Sequence, residues 1–299
     1  MIKTIIIRKE IDTRLDKYLK SLFSSLTQGF IEKNIRKKNI LINNNKTSSN
    51  YIVKKNDILK ILNFNREKYK NKIIFERKIN ISDKILSKFK SSIIFQDNNF
   101  LIINKWSSIA TQAGSKINIS IDDIIKKISP EFKLVHRLDK DTSGLLIIAK
   151  NKRTAKIFGD LFKTRLISKT YLAICEGSPK IKESKIELDI KNKLNKIEKT
   201  LTYYKLLNKS ENISLILYKP LTGKKHQLRI ISKNLSCPIV GDKKYNNQSK
   251  FKKENLKLNA HNISFFIYNK SYEFFSKLPK DFEDFIKVNK LKYSKINYF

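Results

Sequence analysis

The stretch Leu134-Val135-His136-Arg137-Leu138-Asp139-Lys140-Asp141-Thr142-Ser143-Gly144-Leu145-Leu146-Ile147-Ile148-Ala149-Lys150 decides how this 299-residue chain is read. An apolar pair leads into a polar run rich in Asp, Thr, Ser and Gly. Five apolar residues follow, Leu145 to Ala149, the length of a buried strand. A polar turn held between core strands is where a rigid scaffold positions reactive groups. By residue type alone the plainer reading is a charged turn whose Asp and Ser bond the local backbone.

Outward from this segment, strand-like runs are Ser92–Gln96, Leu101–Asn104, Tyr171–Glu176, Ile213–Tyr218, Gln227–Ile231 and Ile263–Tyr268. Helical spacing appears in Ile121–Ile128 and Thr154–Leu166, where Ala155, Phe158, Leu161, Phe162 and Leu166 share one face. Many strands, few helices and short links predict an α/β (α+β) domain over 91–299. Its sheet should be mixed and largely antiparallel, with flanking helices. Residues 63–90 have weak periodicity and read as a linker holding at most one short helix.

The first sixty-two residues read as a separate αββ unit. Leu15, Tyr18, Leu19, Leu22, Phe23 and Leu26 form one helical stripe, with Asp12 or Thr13 placed to cap it. A second helix from about Thr27 turns Ile31 and Ile35 inward and carries Lys33, Arg36, Lys37 and Lys38 on its other faces. Asn39 is expected in the left-handed conformation at its end. Short strands follow, with Asn43-Asn44-Asn45 as the turn between them.

Composition narrows the function classes. Lys and Arg total 64 against 27 acidic residues, a formal charge of +37 that favours a polyanionic partner, above all nucleic acid. Abundant Lys, Asn and Ile also fit AT-rich codon drift, which accounts for part of that charge. No apolar run nears the roughly eighteen residues that span a bilayer, and the N-terminus lacks the pattern of a signal peptide. No membrane role is expected, and the expected location is the cytoplasm. Cys175 and Cys237 stand far apart and three histidines form no cluster, so no metal site is expected and the thiols should be buried and free. Seven glycines without a phosphate-binding pattern argue against a nucleotide cofactor.

Residues 136–144, His-Arg-Leu-Asp-x-x-Thr-Ser-Gly, resemble the signature of the RluA-type superfamily of pseudouridine synthases at nine consecutive positions. Further blocks fit in order. They are Ile102-Ile103-Asn104-Lys105, Lys169-Thr170-Tyr171-Leu172-Ala173, Thr222-Gly223-Lys224-Lys225-His226-Gln227-Leu228-Arg229, Pro238-Ile239-Val240-Gly241-Asp242 with Tyr245, and Leu278-Pro279-x-Asp281-Phe282. Arg14–Leu19, the end of the second helix and Lys54-Lys55-Asn56-Asp57 resemble the S4 RNA-binding domain, with Asn39 and Asn56 where Gly is usual. The Lys-x-Tyr-Leu-Ala form and the long linker are most similar to the RluC type, which acts on large-subunit (23S) ribosomal RNA.

The resemblance implies isomerisation of uridine to pseudouridine in that RNA, by a monomer without cofactor or metal. It implies that Asp139 is the catalytic carboxylate, as nucleophile or base, and that Arg229 pairs with it. Tyr171 is implied at the uracil, placed to assist removal of the C5 proton. Arg137 would fill the space of the flipped base, and Leu228 would line the uracil pocket. Thr142 and His136 are expected near the RNA, while His226 reads as an internal hydrogen-bonding residue. Departures from the family pattern are Trp106, Ser108, Gln112, Lys224, Ile231 and Asn259. The alternatives are a synthase of the RluD type, one acting on another structured RNA, and a non-catalytic ribosome-assembly factor. A nuclease would want clustered carboxylates for two metals, and none is visible.

Overall fold

The structure, a computed structural model, describes all residues except 9, 11, 72–79, 115–116, 192–194 and 294–299. Two compact units emerge, Met1–Lys78 and Ile79–Phe299.

In the first unit the order is β1 (Lys3–Ile6), β2 (Thr13–Arg14), α1 (Leu15–Leu22), α2 (Gln28–Arg36), β3 (Ile40–Ile42), β4 (Asn45–Lys46), β5 (Ile52–Val53) and β6 (Ile58–Ile61). Strands β1, β6, β3 and β4 form one sheet and β2 pairs with β5. Leu15, Leu19 and Ile31 are wholly inaccessible, and Tyr18, Phe23, Leu26 and Ile35 nearly so; Leu22 is half-buried, and the helix ends there, so Phe23 and Leu26 of the expected stripe lie beyond it. Thr27 caps α2 by accepting from the Phe30 N–H. Neither Asp12 nor Thr13 caps α1; its N-cap is Arg14, with no side-chain bond. Asn43 and Asn44 take positive φ as a tight turn requires. At the end of α2 it is Lys38, not Asn39, that turns left-handed (φ 58°). The Asn39 N–H then donates to the Asn34 carbonyl, closing the helix one residue earlier.

The expected linker over 63–90 is shorter than its charge suggests. Tyr69 is buried, and its ring packs on Phe23, Phe30 and Phe64. The Ser25 hydroxyl donates to the Lys68 carbonyl. The first unit therefore runs past Leu62, because two aromatic rings among the charges complete its core. Ile81 and Phe89 belong instead to a core of the second unit. Between them, 72–79 lie outside the described residues.

The second unit continues with α3 (Asp83–Ser91), β7 (Ile93–Gln96), β8 (Phe100–Lys105), α4 (Ile121–Ile128), β9 (Lys133–Leu134), β10 (Ser143–Ala149), α5 (Lys152–Lys163), β11 (Ser168–Glu176), β12 (Glu183–Lys191), β13 (Ile197–Ser210), β14 (Ile213–Pro220), α6 (Gln227–Asn234), β15 (Leu258–Ile267), β16 (Lys270–Phe275) and α7 (Lys280–Val288). Its sheet runs β12-β13-β14-β11-β15-β10-β8-β7, with β16 beside β15 and β9 beside β10. All pairings are antiparallel except β10 with β15, parallel over Ser143↔Asn259 and Gly144↔Ala260.

Alternation explains how helices cover both faces. Leu146 and Ile148 of β10 pack with Ile121, Ile124 and Ile125 of α4. Leu145 and Ile147 turn to the other face, against Phe158 of α5. Similarly, Leu172 and Ile174 of β11 meet Phe282, Phe285 and Ile286 of α7. Ala173 and Cys175 meet Leu228 and Ile231 of α6. Each such aliphatic or aromatic side chain contributes roughly 1.5–3 kcal/mol on burial, so central strands with two apolar faces anchor the loops at their ends. Capping fixes where the helices start: Ser120 and Asp123 form a reciprocal box on α4, and Asn151 accepts from Thr154 N–H on α5.

One expected strand is a helix. Gln227–Ile231 lies within α6, with Gln227, Leu228, Arg229, Ile231 and Ser232 buried and Ile230 half-exposed. Leu228 meets Ile231 and Ser232 at three- and four-residue spacing, which the β-branched pair Ile230-Ile231 disguises. The hairpin of β12 and β13 was not foreseen, nor was α7.

Candidate active site

The loop between β9 and β10 is held from beneath before it presents any side chain. Leu138 is buried in the core under α4. Thr111 brackets it, donating Oγ1 to the Leu138 carbonyl at 2.7 Å and accepting from its N–H at 3.1 Å. Lys105, wholly inaccessible at the end of β8, donates Nζ to the carbonyls of Trp106, Ile109 and Lys140 at 3.1, 3.0 and 3.2 Å. Burial drops its pKa to about 7, against the upward pull of Asp141 and Asp139. At the far side of the loop Gly144 has φ +108°, and an added Cβ would lie 2.3 Å from the Ala260 carbonyl oxygen. Only glycine lets β10 approach β15 there.

A buried polar chain secures the same point. Asn259 Nδ2 donates to Ser143 Oγ at 2.9 Å, and Ser276 Oγ donates to Asn259 Oδ1. His261 Nδ1 is 3.1 Å from Ser276 Oγ, and the Tyr293 hydroxyl is 2.6 Å from His261 Nε2. Asn259, a departure by sequence, thus has a defined part: its amide bonds Ser143 and Ser276 at once.

Above this support Asp139 faces a cavity of about 640 Å³. The cavity also meets His136, Arg137, Thr142, Tyr171, Leu228 and Arg229, so seven residues singled out in sequence share one space. Lys33, Arg36, Lys37 and Lys38 are not among them; they lie exposed on the first unit. Phe162, Leu221 and Leu258 add apolar walls, and Lys163, Arg165, Lys169, Lys219 and Lys224 add charge. Tyr171 reaches the cavity where β11 bulges against β15, its register shifting between Thr170 and Tyr171. Burial, and then the charge of Asp139, push the Tyr171 phenol upward, so it stays neutral.

His136 presents only part of its ring. Its Nε2 accepts from the Ile147 N–H at 2.9 Å, and the ring lies 4.8 Å from that of Phe162. Burial, then Lys169, lower its pKa to about 3. It is a neutral structural imidazole, which limits it as an RNA contact.

The expected direct pair between Arg229 and Asp139 is absent. Arg229 donates Nε and a terminal nitrogen to Asp242 at 2.8 and 2.6 Å, a bidentate fork. Asp242 Oδ1 also accepts from the Lys244 and Tyr245 N–H groups. Burial opposes the charges of both partners, and their mutual hydrogen bonds overcome it: Arg229 is raised and Asp242 lowered. Arg229 acts on Asp139 through space only. His226 Nε2 lies 3.8 Å from Asp139 Oδ2. Burial lowers the His226 pKa, Asp139 pulls it up, and Arg229, Lys244 and Lys225 depress it further. His226 opens α6 at φ 56° with its Nδ1 3.0 Å from the Tyr245 hydroxyl.

Among the described residues no side-chain or backbone donor is hydrogen-bonded to the Asp139 carboxylate, which borders the cavity. Among them too, no group of three His, Cys, Asp or Glu is set to hold a metal ion. The arrangement can offer one free carboxylate, a neutral phenol and an apolar slot.

Sequence reasoning passed over Lys105 and Asp242 as working parts. A lysine ending the apolar strand Phe100–Lys105 was the available signal for the first. Asp242 sat in a block matched by sequence, but its pairing depends on a turn that brings it back to α6.

Residues 99–234 match the model of the RNA pseudouridylate synthase family. A ribosomal large subunit pseudouridine synthase C of Rickettsia bellii is 38% identical, over 93% of this chain and 98% of its own. That of Rickettsia felis is 41% identical over 92% and 96%. The solved human RNA pseudouridylate synthase domain containing 4 superposes with a TM-score of 0.63 at 24% identity, covering 70% of this chain and 97% of its own.

Proposed function

Because the chain belongs to the RNA pseudouridylate synthase family, we propose that it isomerises uridine to pseudouridine in large-subunit (23S) ribosomal RNA, with Asp139 as the catalytic carboxylate. The observation that carries the site reading is the free carboxylate of Asp139 at a cavity walled by Tyr171, Leu228 and Phe162. The reaction breaks the N1–C1′ bond, turns the uracil and forms a C5–C1′ bond. The proton lost from C5 is balanced by the one gained at N1. One carboxylate near C1′ serves as nucleophile, or as base toward the ribose.

The uridine must leave its stack to reach the cavity. Arg137, exposed at the cavity mouth, fills the gap left in the RNA. Tyr171, a neutral phenol, stacks on the uracil and relays the C5 proton through its hydroxyl rather than acting as a phenolate. Thr142 and Leu228 bound the base. Arg229, held in place by Asp242, carries its positive charge at the cavity beside Asp139. In the first unit, residues 1–62 serve as an S4-like RNA-binding platform, with Lys33, Arg36, Lys37 and Lys38 against phosphates. The protein works as a cytoplasmic monomer and uses no nucleotide cofactor.

Pseudouridine mapping of 23S ribosomal RNA, with and without this protein, tests the reading. Loss of one or more sites that wild-type protein restores and Asp139→Ala does not is the expected result. An unchanged map refutes it.

A further inference from the structure

On the other side of Asp139 lies a second cavity of about 480 Å³. Arg137, Leu138, Asp139, His226 and Arg229 line both cavities, so they form the partition between them. The two chambers differ in chemistry. Beyond the partition the first sets the apolar walls of Phe162, Tyr171, Leu221, Leu228 and Leu258 among the cations already named. The second is edged by Ser107, Ser108, Thr111 and Gln112 on one side and by Lys225, Lys243 and Lys244 on another.

Its charge is cationic once internal pairs are removed. Arg229 is matched by Asp242, and Glu254 lies 2.9 Å from Lys257 Nζ. Leaving Lys225 out of the count, Arg137, Lys140, Lys243 and Lys244 stand against Asp139 and Asp141. The lysine turn is also preorganised. Gly241 has φ +75°, and a Cβ there would lie 2.3 Å from the Asn255 carbonyl oxygen. The Lys244 N–H is bonded to Asp242, the carboxylate that holds Arg229. Hydroxyls opposite lysines suit a sugar facing a phosphate, and the volume falls within the ~300–1,000 Å³ of small-ligand sites.

We propose that this second chamber binds the ribose and phosphodiester of one nucleotide adjoining the target uridine. The inference rests on the function proposed above. The chamber grips the strand beside the flipped residue while the base occupies the first chamber. Two sequence departures, Ser108 and Gln112, line it, so its grip is a place where this chain sets its own RNA context. Hydroxyl and amide groups there also reach for the 2′-OH, which distinguishes RNA from DNA.

The test uses full-length protein and a synthetic 23S fragment around a uridine mapped as its target. Each phosphate within two nucleotides of the target is replaced singly by a neutral methylphosphonate. Single-turnover kcat/KM is read for wild type and for the Lys243→Ala/Lys244→Ala double variant. At one linkage beside the target the neutral group is expected to cost wild type about tenfold, the scale of a charge-assisted contact. The double variant, already about tenfold slower, should lose under about twofold from that same replacement. If the two effects multiply at every linkage, or the double variant matches wild type, the proposal is overturned. Failure of wild type to convert the unmodified fragment would instead sink the proposed function, so the two failures are separable. A Gln112→Trp variant, which crowds the chamber from its exposed rim, should raise KM several-fold with kcat nearly intact. An unchanged KM counts against the chamber as an RNA site.

Discussion

The two compact units treat charge in opposite ways. Among the described residues, the first unit buries two carboxylates, Asp16 and Asp57, and no cation. Asp16 is satisfied by Arg14, Gln28 and the Lys17 N–H. Asp57 is satisfied by Asn43, Tyr51 and the Lys54 N–H. The described cations of this unit stay outside. The second unit buries Lys105, Lys257 and Arg229. Each gathers oxygens from separate segments: Lys105 ties the 106–109 loop to Lys140, Lys257 reaches Asp281, and Arg229 holds Asp242. Removing a cation from water is costly and is offset only by full bonding. Cations are buried where loops must be held in fixed geometry, and left in water on the unit that the proposed function sets against phosphates. The difference separates chemistry from affinity, and that separation can be attacked directly.

The largest expected effect is on chemistry alone. Asp139→Ala should lower single-turnover pseudouridine formation by at least about 10³-fold. RNA affinity, measured by filter binding, should stay within about threefold, since Asp139 adds no positive charge. Equal loss of binding and rate would erase the separation.

The next effect is on the buried cations. Asp242→Ala leaves Arg229 buried without its fork and unties Lys244 and Tyr245. It should cost about 3–5 kcal/mol of stability in urea unfolding. A cost under about 1 kcal/mol would show that the pair does not hold α6 to the turn.

The first unit is probed by Lys33→Ala/Arg36→Ala/Lys37→Ala. These exposed changes should weaken RNA binding about tenfold at low salt and leave the rate at saturation unchanged. The slope of log affinity against log salt should flatten by about 2, at ~0.7 per lost contact to single-stranded RNA. A slope that does not move would remove α2 from the RNA-binding surface.

How much of this was legible beforehand follows from the same contrast. Apolar periodicity revealed what hydrophobicity builds: the α1 stripe, Ile31 and Ile35 of α2, and the doubly buried strand Ser143–Ala149. Ordered blocks in the sequence pointed to residues that the fold gathers around Asp139. What stayed hidden depends on polar partners brought together by turns. Arg229 was expected on Asp139 because both lie in one site, yet a guanidinium fork needs two oxygens in its plane, and Asp242 supplies them. In β12 only Ile186, Leu188 and Ile190 mark the inner face, among charges on an edge strand, too faint an alternation to find. The helix α6 was obscured because Ile230-Ile231 favours extended chain until tertiary burial overrides it.

The smallest effect concerns protons, and its sign follows from burial. His261 is held to a pKa of about 4 by burial, and His136 to about 3 by burial and then Lys169. In the unfolded chain both titrate near 6.5. Above that value neither state binds the proton and stability does not depend on them. As pH falls below it, the unfolded chain takes up protons that the folded unit refuses. Stability should then fall by about 1.4 kcal/mol per pH unit for each histidine. The loss for His261 ends near pH 4, and that for His136 near pH 3. Carboxylates such as Asp242 and Asp281, lowered from 3.8, add their losses only at still more acid pH. The single tryptophan, Trp106, packs in the second unit, so its fluorescence follows that unit's unfolding. Urea midpoints at pH 7, 6 and 5 should drop progressively, and His261→Gln should lessen the slope between pH 6 and 5 by about 1.4 kcal/mol per unit. All three histidines lie in the second unit, so the first should show no such step in this range. An equal acid response of both units would mean that the second unit's buried nitrogen bases are not what sets it apart.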